Sequence, residues 1–556
     1  MRKIRILFMA FIGLGVVLAC NPDDFLEETP NAGRQLGELV NLKNISSVLS
    51  GSYWQMMIGR NENAFNNPVS IYQQWNALAS DGFSITDETV VGYDNLVNSY
   101  FTYNRILDHL QEDTYERLYS ICYTVISNLN QAIELIEDPS DELIAEQLND
   151  TKRYNQLVGE VYALRGFNYF LLSQVFGPKF VPGGDNSSLS LILKNRNSAE
   201  FEDIFATRST VAEVYDFIIR DYESALEHIS NEKLVGRLNK SAVHGLLSRL
   251  YLDMNDWEKA DENATLAMNG FSLEIRPIDA FNKTDLNSSN GVIFEMQCSI
   301  GHNWDAPNKD LIYIGNNTPI RLSQWNWIER RTMGRAIFLG ANFTVDNINL
   351  RTYAISQEIM KKMGWMTSIT NLTNEALSDL RFQQVYHWAP GNTDTRMDPV
   401  TTQRPQDNYL WVFKDARSEA DNVLDGNNFT YELYDGRAHL PVLRISEMYL
   451  TRAISRLKIG DTSGALSDLN ALKQSRWDTS FGNFIPFSGS DTQIETEIEM
   501  ERARELLGEG DRLFYLKAMQ YDIPAGDRGT GVIPFPYTEL FWDLPPEETA
   551  INPNVD

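Results

Sequence analysis

The sequence predicts a mainly α protein, a scaffold of tetratricopeptide-type helical hairpins overlaid by a loop-rich, weakly β segment. Three observations predict it. First, apolar residues between Arg444 and Met519 recur at helical spacing: Leu450, Ile454 and Leu457, then Ala465, Leu469 and Leu472 beyond Gly460-Asp461. Steps of three and four put each set on one face of a helix. Gly460 suits the left-handed backbone that ends the first helix, and Asp461 or Thr462 suits the cap of the second. Small Ala453 and Ala465 let the two helices cross closely. Second, the design returns upstream, where Asn255-Asp256 precedes Ala260, Ala264 and Ala267. Such an internal echo points to a repeat architecture of about four hairpins. Third, the helical rhythm weakens from roughly Phe271 to Pro441, where Asn, Asp, Gly and aromatic residues dominate.

In chain order, residues 1–19 join a basic start (Arg2, Lys3, Arg5) to an apolar run from Ile6 to Ala19. That run is short for a membrane span and reads as an export signal. It ends at Val17-Leu18-Ala19-Cys20, a lipobox-like junction, with a conventional signal and a free Cys20 as the other reading. Helices are expected over Leu36–Asn61, Tyr72–Asp81, Tyr115–Ile136, Tyr154–Phe176, 211–229, 240–254 and Trp257–Ala267, with loops at 82–99 and 183–200. Gly291–Gln297 reads as a short strand, and residues 299–335 and 387–441 as loops. The domain organisation that follows is a signal over 1–19, a helical repeat region over 20–270, a loop-rich segment over 271–441 and a helical region over 442–556.

With 43% apolar and 22% charged residues the 556-residue chain is globular. A net charge of −28 repels phosphate backbones and argues against nucleic-acid binding; it reads as a solvated surface. The His residues at 109, 228, 244, 302, 387 and 439 form no His-x-x-x-His pair, so no zinc site is expected. Neither a Gly-x-Ser-x-Gly elbow nor a phosphate-binding loop occurs, Asp421–Asn427 is too sparse for a calcium loop, and no cofactor is called for. Glu501, Glu505 and Glu509 share a helix face, which suits an ion network with Arg502, Arg504 and Arg512 better than acid–base chemistry. Gly508-Glu-Gly510 is expected to break one helix before Asp511 caps the next. Cys122 and Cys298 read as buried thiols, with a single bridge left open.

Trp257 and Trp477 fall on or beside repeat helices and are expected in the core. Trp304, Trp325, Trp327 and Trp388 instead sit among Asn, Gln, Asp and Gly. In Arg321-Leu-Ser-Gln-Trp325-Asn326-Trp327, alternate side chains of an extended segment would bring both indoles to one groove, flanked by amide and guanidinium donors. A sugar ring stacks on such a surface and bonds to such a rim. Packing of loops onto the helical body is the competing reading. Tyr93 and Asn95 are weaker candidates.

Specific stretches carry a family resemblance. Glu501-Arg502-Ala-Arg-Glu505-Leu-Leu-Gly-Glu509-Gly-Asp-Arg512 resembles the C-terminal signature of the SusD/RagB family, nutrient-binding lipoproteins of Bacteroidetes, with departures at Tyr515 and Ala518. Ala163-Leu-Arg165-Gly-Phe167-Asn-Tyr169-Phe170, Asp379-Leu-Arg381, Pro534–Glu539 and the start Asp24-Phe25-Leu-Glu-Glu resemble further family elements. Asn552-Pro553-Asn554 arrives late, after an extra acidic piece. The resemblance implies a non-catalytic lipoprotein acylated at Cys20, palmitate included, and facing outward on the cell outer membrane. It would bind oligosaccharide through loops of both halves (Trp304, Arg321, Trp325, Asn326, Trp327, Tyr93, Asn95) and deliver it to a SusC-like TonB-dependent transporter. Peptide capture is the alternative within the family. A lipid-anchored glycoside hydrolase is disfavoured by the lack of a paired-carboxylate cleft, and a protein-only adaptor by the loop aromatics.

Overall fold

The helix the sequence places over Tyr154–Phe176 packs against several of its neighbours, α-helices from both before and after it in the chain. In the computed structural model it runs Thr151–Phe176 and is buried on almost every face. Phe167 meets Phe294 edge-on, while Phe170 meets Tyr72 and Phe514, so one helix holds rings from the start, middle and end of the chain. Losing one such ring costs about 3–5 kcal/mol. The structure describes residues 40–58, 67–85, 109–196, 205–281, 289–296, 312–314, 318–320, 353–368, 371–389, 409–412, 440–526, 531–537 and 540–555.

The helices are α1 (Leu42–Ile58), α2 (Pro68–Leu78), α3 (His109–Glu137), α4 (Asp141–Asn149), α5 (Thr151–Phe176), α6 (Val211–His228), α7 (Lys240–Met254) and α8 (Trp257–Ala267). After them come the short α9 (Gln357–Lys362), α10 (Asn374–Ser378) and α11 (Leu380–Val385), then α12 (Ile445–Lys458), α13 (Thr462–Ser475), α14 (Asp491–Leu506), α15 (Arg512–Ala518) and α16 (Pro546–Ile551). Packing runs from neighbour to neighbour: α3 on α5, α5 on α6, α7 on α8, α8 on α12, and α12 on both α13 and α14. This is the stacked arrangement expected of helical hairpins that cannot bury their apolar faces alone.

Both expected turns are present. Gly460 takes φ +89°, and the Asp461 carboxylate accepts from the Gly464 N–H to cap α13; Thr462 is the first helical residue instead of the cap. Asn255 does the work of the glycine at φ +58°, with Asp256 capping α8. Asn tolerates this left-handed backbone better than other non-glycine residues do. Ala260, Ala264, Ala267, Ala453 and Ala465 are all fully buried at the crossings. Gly245 of α7 has no such freedom of replacement: an added Cβ would stand 2.2 Å from Leu443.

Short antiparallel pairs decorate the helices. The strands are β1 (Phe83–Ile85), β2 (Val292–Met296), β3 (Ile312–Ile314), β4 (Thr318–Ile320), β5 (Tyr353–Ile355), β6 (Met366–Ser368), β7 (Asn371–Leu372), β8 (Tyr386–Ala389), β9 (Tyr409–Val412), β10 (Leu440–Arg444), β11 (Ile523–Pro524) and β12 (Val532–Ile533). Among the described residues they pair β1–β5, β2–β10, β3–β4, β6–β7, β8–β9 and β11–β12. The strand expected at Gly291–Gln297 is β2. Five others correct the reading of 82–99, 299–335 and 387–441 as loop: β1, β3, β4 and β9 fall inside those ranges, and β8 starts one residue before the last. Their runs of two to four β-branched and aromatic residues are too short for an alternating period to register.

The expected core indoles are corrected too. Trp257 is only half-buried, at the first turn of α8, and Trp477 is half-buried with its N–H donated to the Gly482 carbonyl. Cys122 is a buried free thiol, as expected; Cys298 lies outside the described residues. Near the end of the chain, Trp542 donates its backbone N–H to Val175 and sets its ring edge against Trp75, while Asn552 bonds to the Ala206 carbonyl.

Candidate ligand-binding region

Glu501 and Glu505 lie one turn apart on α14 and both are shut away from solvent. Arg381 donates to Glu501 at 2.8 Å and Glu505 at 3.1 Å while also holding Asp379. Arg444 reaches Glu505 at 2.7 Å and grips Glu509 with two further bonds, and Arg476 binds both oxygens of Glu505 at 3.0 Å. Arg504 pairs with Glu501 at 2.8 Å and donates twice to the Met363 carbonyl at the end of α9.

Burial alone would raise both carboxyl pKa values, but the surrounding cations outweigh it. Glu501, facing Arg381, Lys473 and Arg504, is held down at about 2, and Glu505, facing Arg476, Arg444 and Arg381, lies well below the carboxylate range. A general acid needs the opposite: a carboxyl in a cleft with a raised pKa. These groups are structural.

The partners differ from those expected. Arg504 does pair with Glu501. Arg502 instead binds Asp511 and Thr451, and Arg512 binds Asp81 at 2.7 and 3.0 Å together with Glu499. Asp511, committed to Arg502, makes no capping bond at α15; the break before it does occur, with Gly508 and Gly510 at φ +86° and +87°. Arg381, Arg444 and Arg476 join this network from distant positions in the sequence. The only signal was the Asp379-Leu-Arg381 element, which the structure ties to α14. Among the described residues no group of three His, Cys, Asp or Glu is placed to hold a metal ion.

This cluster fixes the base of the loop-rich segment. The chain leaves the helical body at β2 and returns at β10, which pair side by side with Met296 opposite Leu440. Midway, residues 353–389 are drawn back onto α14 by Arg381 and Arg504, with Trp365 fully buried against Phe382. Two stretches remain, 297–352 and 390–439. Arg321 directly follows β4, and Trp388 in β8 stands opposite Leu410 in β9. The β1–β5 pair, Phe83 opposite Ile355, brings together the point where the stretch bearing Tyr93 and Asn95 departs and the point where the stretch bearing Trp325 and Trp327 returns. Trp304, Arg321, Trp325, Asn326, Trp327, Tyr93, Asn95 and Cys20 themselves lie outside the described residues.

Comparison with known proteins agrees from two sides. A family model described as starch-binding, associating with outer membrane, matches residues 46–252, and the SusD family model matches residues 388–518. The chain belongs to the SusD/RagB family. SusD-like protein P38 of Formosa agariphila is 24% identical over 285 residues, 49% of this chain and 47% of that protein. A SusD-like protein of Bacteroides ovatus is 22% identical over 135 residues, 24% of this chain and 22% of its own length. The matches thus span less than half of these relatives. A SusD superfamily protein of Bacteroides thetaiotaomicron superposes over 93% of this chain and 99% of its own with a TM-score of 0.67 at 19% identity. A putative sugar binding protein of Bacteroides vulgatus does so over 93% and 98%, with a TM-score of 0.66 at 18% identity. At such identities the likeness establishes the SusD fold.

Proposed function

We propose that this SusD-family chain captures oligosaccharide or polysaccharide at the outer face of the outer membrane, does not transform it, and passes it to a SusC-like TonB-dependent transporter. The observation that carries the reading is the match to a family model described as starch-binding and outer-membrane-associating, on a body of SusD fold. The buried, strongly ionised state of Glu501 and Glu505 supports binding without catalysis. In this reading Trp325, Trp327 and Trp304 supply the stacking surface and Arg321 and Asn326 its polar rim, with Tyr93 and Asn95 as lesser contributors. Cys20 carries the lipid anchor, and residues 271–441 constitute the ligand-binding segment.

A glycan and peptide array probed with the full chain tests this. Retention on polysaccharide is the expected result; retention on peptides alone would replace it with a peptide-binding function, and cleavage products would replace it with a glycoside hydrolase. Calorimetry on the array hit then locates the site. Trp325→Ala and Trp327→Ala should each weaken binding by about 1–3 kcal/mol, roughly ten- to a hundredfold, without moving the melt. Mass spectrometry of membrane-extracted protein should find an acylated Cys20 and residues 1–19 removed.

A further inference from the structure

The connection between α13 and α14 exposes more aromatic surface than its own folding requires. Phe481 is 49% exposed and Ile485 83%, beside the half-buried rings of Trp477 and Phe484, whose centroids lie 6.2 Å apart at 60°. The connection is nonetheless tightly held. Trp477 donates its indole N–H to Gly482 at 2.8 Å, Asp478 accepts from the Ser480 N–H, and Asn470 exchanges two hydrogen bonds with the Phe487 backbone. Rigid rings interleaved with the exposed polar side chains of Thr479, Ser480 and Asn483 suit a ligand with an apolar face and a hydroxyl rim.

The same connection adjoins the base of the ligand-binding segment. Leu380 N–H donates to the Arg476 carbonyl and Asp478 N–H to the Ser378 carbonyl, both at 2.8 Å, and Gln383 binds the Asp478 carboxylate at 2.9 Å. From that junction the six residues of α11 lead straight into β8, a path of about 9 Å.

We propose that the α13–α14 connection, through Phe481, Trp477 and Phe484, is a second glycan contact that takes the continuation of a polysaccharide already bound in the ligand-binding segment. It rests on the glycan-binding reading above. The chain it fits is a neutral one, since the protein's charge of −28 disfavours polyanions. Two tethered contacts act at high effective concentration, so the second contact matters only for ligands long enough to reach it.

Starch, xylan and galactomannan, each with its short oligosaccharides, serve as probes of the full chain, with pectin and alginate as polyanions whose stronger retention would overturn the neutral ligand; the neutral polymer retained most strongly is carried forward. Phe481→Ala should weaken the apparent Kd for that polymer roughly tenfold and leave its shortest binding oligosaccharide unaffected. Phe481→Tyr, which keeps the ring, should restore polymer binding. Equal polymer affinity in Phe481→Ala and wild type overturns the second contact alone, as does an equal loss for the short oligosaccharide, which would place Phe481 in the primary site. Wild type that retains peptides but none of the glycans overturns the glycan reading, and this inference with it.

Discussion

Two carboxylates buried among guanidinium groups in this protein behave oppositely. Between α5 and α6, Asp221 receives two bonds from a single guanidinium, Arg165, at 2.8 and 2.6 Å. Around α14, Glu501 faces Arg381, Arg504 and Lys473. All of these carboxylates are cut off from water, yet burial wins at Asp221, raising its pKa against Arg165, while the cations win at Glu501. Two more groups obey the same division. Asp511, with Arg502 as its ion-pair partner and Glu447 nearby, is raised; Asp81, served by Arg512 and Lys362, is held at about 2. At Asp221 the cations Arg165 and Arg220, and at Asp511 the cations Arg502 and Arg249 set against Glu447, do not offset the cost of desolvating the carboxylate, whereas at Glu501 and Asp81 the surrounding cations do.

The sharpest way to break this comparison is Glu505→Gln. It leaves Arg381, Arg444 and Arg476 buried around a neutral amide and should cost about 3–5 kcal/mol in urea unfolding. A loss under about 1 kcal/mol would mean that the cluster does not depend on its charge balance. Acid titration comes next. Glu501 and Asp81 have folded pKa values below their unfolded ones, so each contributes stability that is present above about pH 4.5 and lost as pH falls toward about 2, on the order of 2–3 kcal/mol per group. Asp221 and Asp511 have raised values, bind protons more tightly when folded, and oppose that loss. Unfolding free energies measured from pH 6 to pH 2.5 should therefore fall less in Glu501→Gln than in wild type, and more in Asp221→Asn. The reverse order would overturn the assignment.

A smaller effect is expected when the single pair is replaced whole. Arg165→Met with Asp221→Leu removes both charges and should leave stability within about 1 kcal/mol of wild type or raise it, by thermal or urea melts. At the far end stands the exposed pair Lys152–Glu232, 2.7 Å apart but largely in water. Lys152→Ala should not move the melting temperature measurably.

The helical body was legible because its signals are local. Leu450, Ile454 and Leu457 announce a buried face by spacing alone, and Gly460-Asp461 and Asn255-Asp256 announce their turns by residue chemistry. The charge cluster was legible only in part: the acids of α14 stand out as a row, but Arg381 and Glu501 are separated by 120 residues, and nothing local says that they meet. Trp257 was misjudged because helical spacing shows which residues share a face and not how deeply the helix is covered. Three-residue strands such as β3 and β4 are stabilised by their partners, not by their own sequence, and so left no period to read. Of the candidate site, the sequence named the aromatic and amide residues. The structure adds the described elements from which the stretches bearing them depart and to which they return.

The β2–β10 pair also bears on how such a protein can diverge. Because Met296 and Leu440 are already neighbours, the 143 residues between them start and finish at one place, and the stretch 353–389 anchors them once more on α14. Doubling the length of a flexible closed loop costs only about 0.6 kcal/mol in chain entropy. Insertions, deletions and exchange of specificity can therefore accumulate in 297–352 and 390–439 while Arg381, Met363 and Trp365 keep their contacts with the helices beneath. The ladder is the seam along which one recognition surface can be cut out and another sewn in.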